Sequence, residues 1–205
     1  MLFETLLGFA LTSFVIELTP GPNMAYLAVV AATEGRRPAL SAVAGVALGL
    51  GLVGLGAALG LAAAISASDL MYQGLRWGGV VYLLWLAWDG WRGADEAVAH
   101  APPGSTNWRY FRRGLVTNLL NPKAAVFYVA VLPGFLLTPE DVLRETLLLT
   151  VIYVTVATAV HATIAVLAGT ARALFEHPAR ERALRRTLSL VLAAIAFWFA
   201  WKTGR

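Results

Sequence analysis

The chain has 205 residues, of which 59% are hydrophobic and 14% charged, whereas a soluble domain carries roughly 25% charged residues. Its formal net charge is +4 and it contains no cysteine, which excludes disulfides, thiol nucleophiles and cysteine metal sites. A composition of this kind belongs in lipid.

Six apolar segments follow one another, at about 2–32, 39–67, 70–88, 111–135, 146–170 and 187–201. A helical span needs about 20 mostly apolar residues. These runs are continuous and lack the alternation of a barrel strand, so the expected fold is an all-α integral membrane bundle. The first segment opens with MLFETLL, which has no basic n-region and carries Glu4. It is therefore expected to stay in the mature protein instead of being cleaved as a signal. The same segment breaks its own run at 18-LTPGPNMAYL-27, where Pro20, Gly21, Pro22 and Asn23 follow Glu17.

The second segment carries Gly45, Gly49, Gly56 and Gly60, small-xxx-small pairs suited to close helix packing within the bundle or at a homodimer contact. The third holds Arg76 near its start and Trp77, Trp85, Trp88 and Trp91, expected as interface anchors. A hydrophilic stretch, 89–113, with Pro-Pro-Gly-Ser at its centre, then divides the chain. The division gives one transport domain, 1–205, made of a first repeat at about 1–92, a cytoplasmic linker at about 93–110 and a second repeat at about 111–205. The fourth segment is interrupted at 117-TNLLNPKAAV-126 by Asn118, Asn121, Pro122 and Lys123. The fifth holds His161 among Thr155, Thr158 and Thr163, where a lone histidine suits packing or an interhelical hydrogen bond better than a metal. The sixth is short and ends near Lys202.

The basic residues set the expected orientation. Arg36, Arg37, Arg92, Arg109, Arg112, Arg113, Arg172, Arg180, Arg182, Arg185 and Arg186 fall in the first, third and fifth connections, against Arg76, Arg144, Lys202 and Arg205 on the other side. By the positive-inside rule the odd connections are cytoplasmic and both termini face outward. The positive charge is thus accounted for by topology and by contact with anionic membrane lipids, with no nucleic-acid partner.

Each half holds three segments, an odd number, so the second half is expected to be inverted relative to the first. Aligning Pro22 with Pro122 also aligns Ala25 with Ala125, and both breaks precede apolar runs. Proline ends one half-helix and suits the first position of the next, with Gly21 and Asn121 as N-caps. A helix N-terminus attracts anions, so two of them meeting near midplane would bind a carboxylate. Lys123 adds a full positive charge too deep to snorkel easily, and Glu17 supplies the opposite sign. The alternatives are that Lys123 snorkels to an interface and that Glu17 is a structural ion-pair partner of Lys123.

The strings 18-LTPGPNMAYLAVVAATEGRRPALSAVAGVALG-49, 78-GGVVYLLWLAWDGWR-92 and 111-FRRGLVTNLLNPKAAVFYVAVLPGF-135 resemble the lysine exporter and homoserine/threonine resistance family of bacterial amino-acid exporters. That family has a PGPN-type motif in its first span and an NPK motif in its fourth, matched here by Pro20, Gly21, Pro22 and Asn23 and by Asn121, Pro122 and Lys123. The resemblance implies a plasma (inner) membrane exporter of amino acids or close derivatives, driven by an ion gradient. Gly134 stands where the family often has glutamine. Glu17 lies outside the recognised motif, so its role rests on chemistry alone.

The expectation is a secondary transporter working by proton antiport with alternating access, with an amino acid and protons as its partners and no cofactor or metal. Glu17, Gly21, Asn23, Asn118, Asn121 and Lys123 are its expected substrate-binding residues, and Pro20, Pro22 and Pro122 its helix-breaking ones. A channel or an intramembrane enzyme are the alternatives. No Gly-x-Ser-x-Gly elbow or paired-histidine motif supports an enzyme, and His100, His161 and His177 lie in different regions.

Overall fold

The computed structural model describes residues 2–19, 21–60, 68–93, 105–138, 141–171 and 178–202, and among them every regular element is helical. In chain order these are α1 (Leu2–Leu18), α2 (Pro22–Glu34), α3 (Arg36–Ala58), α4 (Asp69–Gly93), α5 (Ser105–Leu119), α6 (Pro122–Val126), α7 (Val142–Ala171) and α8 (Pro178–Lys202). Helix α6 continues as a π-helical turn, Phe127–Val131, and a 3₁₀ turn, Leu132–Phe135.

Both expected breaks are present. The axes of Phe3–Leu18 and Pro22–Glu34 differ by 62°, and those of Asn107–Leu119 and Pro122–Phe135 by 49°. Pro22 and Pro122 each occupy the first turn of the new helix, after an extended Gly21 and an extended Asn121. Proline lacks the N–H that a continuing helix would need, which is why the chain turns at these points. Pro20 lies outside the described residues.

Helices α3 and α7 are long and apolar enough to cross a membrane, and the two bent pairs bring the number of such spans up to four. That count covers the described residues alone and does not include the third and sixth segments, expected as spans, whose helices α4 and α8 are each 25 residues long. Helix α4 carries Asp69, Asp89 and Arg92 at its ends with Arg76 inside, and the start of α8 carries Arg180, Glu181, Arg182, Arg185 and Arg186. The end of the second segment, 61–67, lies outside the described residues. Helix α3 finishes at Ala58, and Gly60 turns the chain with φ of 82°.

Helix α2 passes to α3 through Gly35 alone, at φ 94° and ψ −179°. That conformation belongs almost entirely to glycine, so the tight reversal depends on it. Helix α3 then lies against α5, α7 and α2, while α4 pairs with α8, and α2 bridges the two groups. A Cβ on Gly45 would stand 2.0 Å from the Phe111 carbonyl oxygen, and one on Gly114 would stand 2.2 Å from that of Ala42. The backbones of α3 and α5 therefore touch, and small residues are what permit it. Gly49 packs on Asn118 in the same seam, whereas Gly60 packs against nothing within 4 Å.

Residues from the odd connections gather at one end of the bundle, where Arg185 pairs with Glu34 and Arg113 pairs with Asp89. At the opposite end Arg76 donates to the Ala200 carbonyl oxygen, and Glu145 accepts from the Leu137 N–H at 2.7 Å. Large apolar side chains such as Phe3, Leu11, Val15, Trp88, Val151 and Phe197 point outward, as lipid-facing surfaces require.

Candidate functional site

The two breaks line one cleft. Its walls include Glu17, Gly21, Asn23, Asn121, Lys123, Tyr153 and His161. It encloses about 10 Å³, the room of roughly one water molecule.

Glu17 sits in the last turn of α1 and is 5% exposed. One carboxylate oxygen accepts from the Tyr153 hydroxyl at 2.7 Å and lies 3.9 Å from the Lys123 ammonium. The other lies 3.2 Å from Nε2 of His161. A buried carboxylate survives in lipid only with such partners. Three of them, from α6 and α7, converge on this one.

Lys123 follows the second break by a single residue, so its side chain reaches back across the cleft. Its ammonium donates to the carbonyl oxygens of Ile16 at 2.9 Å and Thr19 at 3.1 Å. Those oxygens lie at the C-terminal end of α1, the negative end of its helix dipole. Asn121 caps α6 by accepting from the Lys123 N–H at 3.1 Å. The second break thus satisfies one of its own donors, while Gly21 offers α2 no side-chain cap. Asn23 is 7% exposed, and its side-chain oxygen has no partner.

Of the expected residues, Glu17, Gly21, Asn23, Asn121 and Lys123 come together, with Pro22 and Pro122 at the helix starts behind them. Asn118 does not line the cleft. It is fully buried against Gly49, with neither of its amide atoms partnered.

Two polar residues of the cleft were not expected there. His161 does make an interhelical contact, but its partner is the site carboxylate, and its Nδ1 is buried without a partner. Tyr153 was missed altogether. Its ring stacks on Phe127, with centroids 3.8 Å apart, which fixes the hydroxyl toward Glu17. A signal was available, since Tyr153, Ala157 and His161 recur at four-residue spacing on α7 and all three are buried. Among the described residues no group of three His, Cys, Asp or Glu side chains is placed to hold a metal ion.

The profile of the LysE type translocator family matches residues 14–203. The chain belongs to the LysE type translocator family. The homoserine/homoserine lactone efflux protein of Salmonella typhimurium is 32% identical over 187 residues, 91% of each chain. The threonine efflux protein of Escherichia coli strain K12 is 32% identical over 140 residues, 66% of each chain. An uncharacterized membrane protein of Vibrio cholerae is 31% identical over 153 residues, 73% of this chain and 74% of the relative. No solved structure matches. Membership in this translocator family makes the chain a multi-pass bacterial membrane transporter and not an intramembrane enzyme.

Proposed function

We propose that this LysE translocator exports amino acids of the homoserine and threonine type by proton antiport, with Glu17 exchanging between the substrate's ammonium group and a proton. The observation that carries the reading is the single carboxylate held at once by Tyr153, His161 and Lys123 between two broken helices. Named relatives are efflux proteins for homoserine, homoserine lactone and threonine. In this reading six segments cross the membrane as two inverted repeats, and the broken helices meet where the repeats do.

Substrate and Lys123 supply complementary charges. The carboxylate of the amino acid takes Lys123 from the carbonyl oxygens of Ile16 and Thr19, while the unprotected N–H groups at the start of α2 face the same anion. The ammonium group then replaces Lys123 as the neighbour of Glu17. When the site returns empty, Glu17 takes a proton in place of that ammonium, and His161 stands 3.2 Å away to pass it. Substrate and proton thereby exclude each other, which is the condition for antiport.

A cleft of about 10 Å³ admits no amino acid, so the half-helices must part during the cycle. This favours a carrier over a channel. The deciding experiment is flux of L-homoserine and L-threonine in proteoliposomes under an imposed pH gradient. Accumulation that collapses with the gradient is expected, and current far above carrier turnover would favour the channel instead.

A further inference from the structure

A second polar cavity lies apart from the Glu17 cleft, at the end where the odd connections gather. It encloses about 70 Å³, room for several water molecules. Ion pairs form its walls. Asp89 lies 2.8 Å from Arg113 and 3.6 Å from Arg109, and Glu34 pairs with Arg185. Tyr26 also lines it, 3% exposed, and its hydroxyl is buried with no hydrogen-bond partner. A buried hydroxyl left unmatched is destabilising, so its presence beside charged walls calls for a ligand.

Helix α2 joins this cavity to the cleft. Asn23 lines the cleft and Tyr26 the cavity, and three residues of helix rise span only about 4.5 Å. The geometry points to a vestibule that binds a zwitterionic amino acid before it reaches Lys123. The inference rests on the exporter reading above, with the arginine-rich end in the cytoplasm.

The charges define the ligand class. An amino acid that splits the Arg113–Asp89 pair gives its carboxylate to the guanidinium and to the Tyr26 hydroxyl, and its ammonium group to Asp89. Every charge keeps an opposite partner, and the more buried Arg113 is not left unpaired. The planar guanidinium fork also suits a carboxylate. A simple amine on Asp89 would strand Arg113, whose side chain is 13% exposed, and a simple anion on Arg113 would leave Asp89 only the longer, more exposed pair with Arg109. The vestibule therefore selects zwitterions.

Equilibrium binding of radiolabelled L-homoserine and L-threonine to the purified full-length protein in detergent tests this. Two sites per chain are expected in the wild type and one in Lys123→Met. Because Lys123→Met removes bonds that hold α1, Tyr26→Phe serves as the second variant, since it deletes only an unpartnered hydroxyl. It should weaken one site by about 3- to 10-fold and leave the other unchanged, and excess acetate or ethylamine should compete poorly at the weakened site. A single site in the wild type, loss of all binding in a Lys123→Met protein that still melts cooperatively, or two unaltered sites in Tyr26→Phe would overturn the vestibule. Vesicle flux is read separately: two titrating sites with no flux would remove the exporter reading and leave the vestibule standing.

Discussion

Lys123 lies 3.9 Å from Glu17, yet its hydrogen bonds go to the carbonyl oxygens of Ile16 and Thr19. The lysine therefore hydrogen-bonds to the end of α1 and pairs with the carboxylate only at ion-pair distance. A loose pair of this kind can be exchanged for a substrate, because Glu17 keeps Tyr153 and His161 when Lys123 leaves.

Replacing Lys123 by methionine should abolish amino-acid flux and cost stability as well. Removing one partner of a buried pair costs about 3–5 kcal/mol, and the figure here should fall toward the lower end, since the lysine side chain is 24% exposed. Flux in proteoliposomes and chemical unfolding in detergent measure the two effects. Wild-type flux in this variant would remove Lys123 from the site.

Tyr153 and Tyr128 offer a comparison between charged and neutral acceptors. The Tyr153 hydroxyl donates to Glu17, whereas the Tyr128 hydroxyl donates to the Leu50 carbonyl oxygen at 3.1 Å. A bond to a charged group is worth about 1.5–3 kcal/mol and a neutral one about 0.5–1.5. Tyr153→Phe should therefore lower stability more than Tyr128→Phe, with the Phe127 stacking kept in the first. The reverse order would mean that Glu17 is neutral in the resting protein.

Glycine seams should respond by position. Gly45→Ala drives a methyl group to 2.0 Å from a backbone oxygen that cannot rotate away, while Gly51 has nothing within 4 Å of a new Cβ. Overpacking typically costs about 1–3 kcal/mol, so Gly45→Ala should lower the melting temperature in detergent and Gly51→Ala should leave it unchanged. Equal melting temperatures would contradict the contact between α3 and α5.

The absence of cysteine makes orientation testable with single thiols. Leu137→Cys lies beside the end where Glu145 meets Leu137, and Trp108→Cys lies near the end rich in arginine. An impermeant thiol reagent added to intact cells should label the first and spare the second, as the positive-inside rule demands. Labelling of Trp108→Cys alone would invert the topology.

The breaks were legible because proline and asparagine in an apolar run have few other uses, and their pairing at Pro22 and Pro122 placed the cleft. Tyr153 and His161 were harder to see. A tyrosine on an apolar helix looks like packing until the register of α7 against α1 is known, and no single sequence fixes that register. Asn118 was expected among the substrate-binding residues, but in the last turn of α5 it packs on Gly49 of α3 and does not line the cleft, a register one sequence does not give. The charges of α4 were legible too, yet only the fold shows Arg113 closing on Asp89.

Glu17→Gln tests the coupling itself. If Glu17 carries the proton, the amide should still accept from Tyr153 and still border the ammonium group of the substrate, so the site keeps its shape. Exchange of L-homoserine or L-threonine between equal pools requires only that the loaded site reorient, and it should persist. Net accumulation requires the site to return with a proton in place of the substrate, and an amide cannot take one. The variant should therefore exchange without concentrating. His161→Gln separates the two proton-binding groups: with Glu17 intact, accumulation should slow and not vanish, because the carboxylate that holds the proton remains. Full accumulation by Glu17→Gln under an imposed pH gradient would route the proton elsewhere, and Glu17 would then serve only to hold Tyr153, His161 and Lys123 around the break.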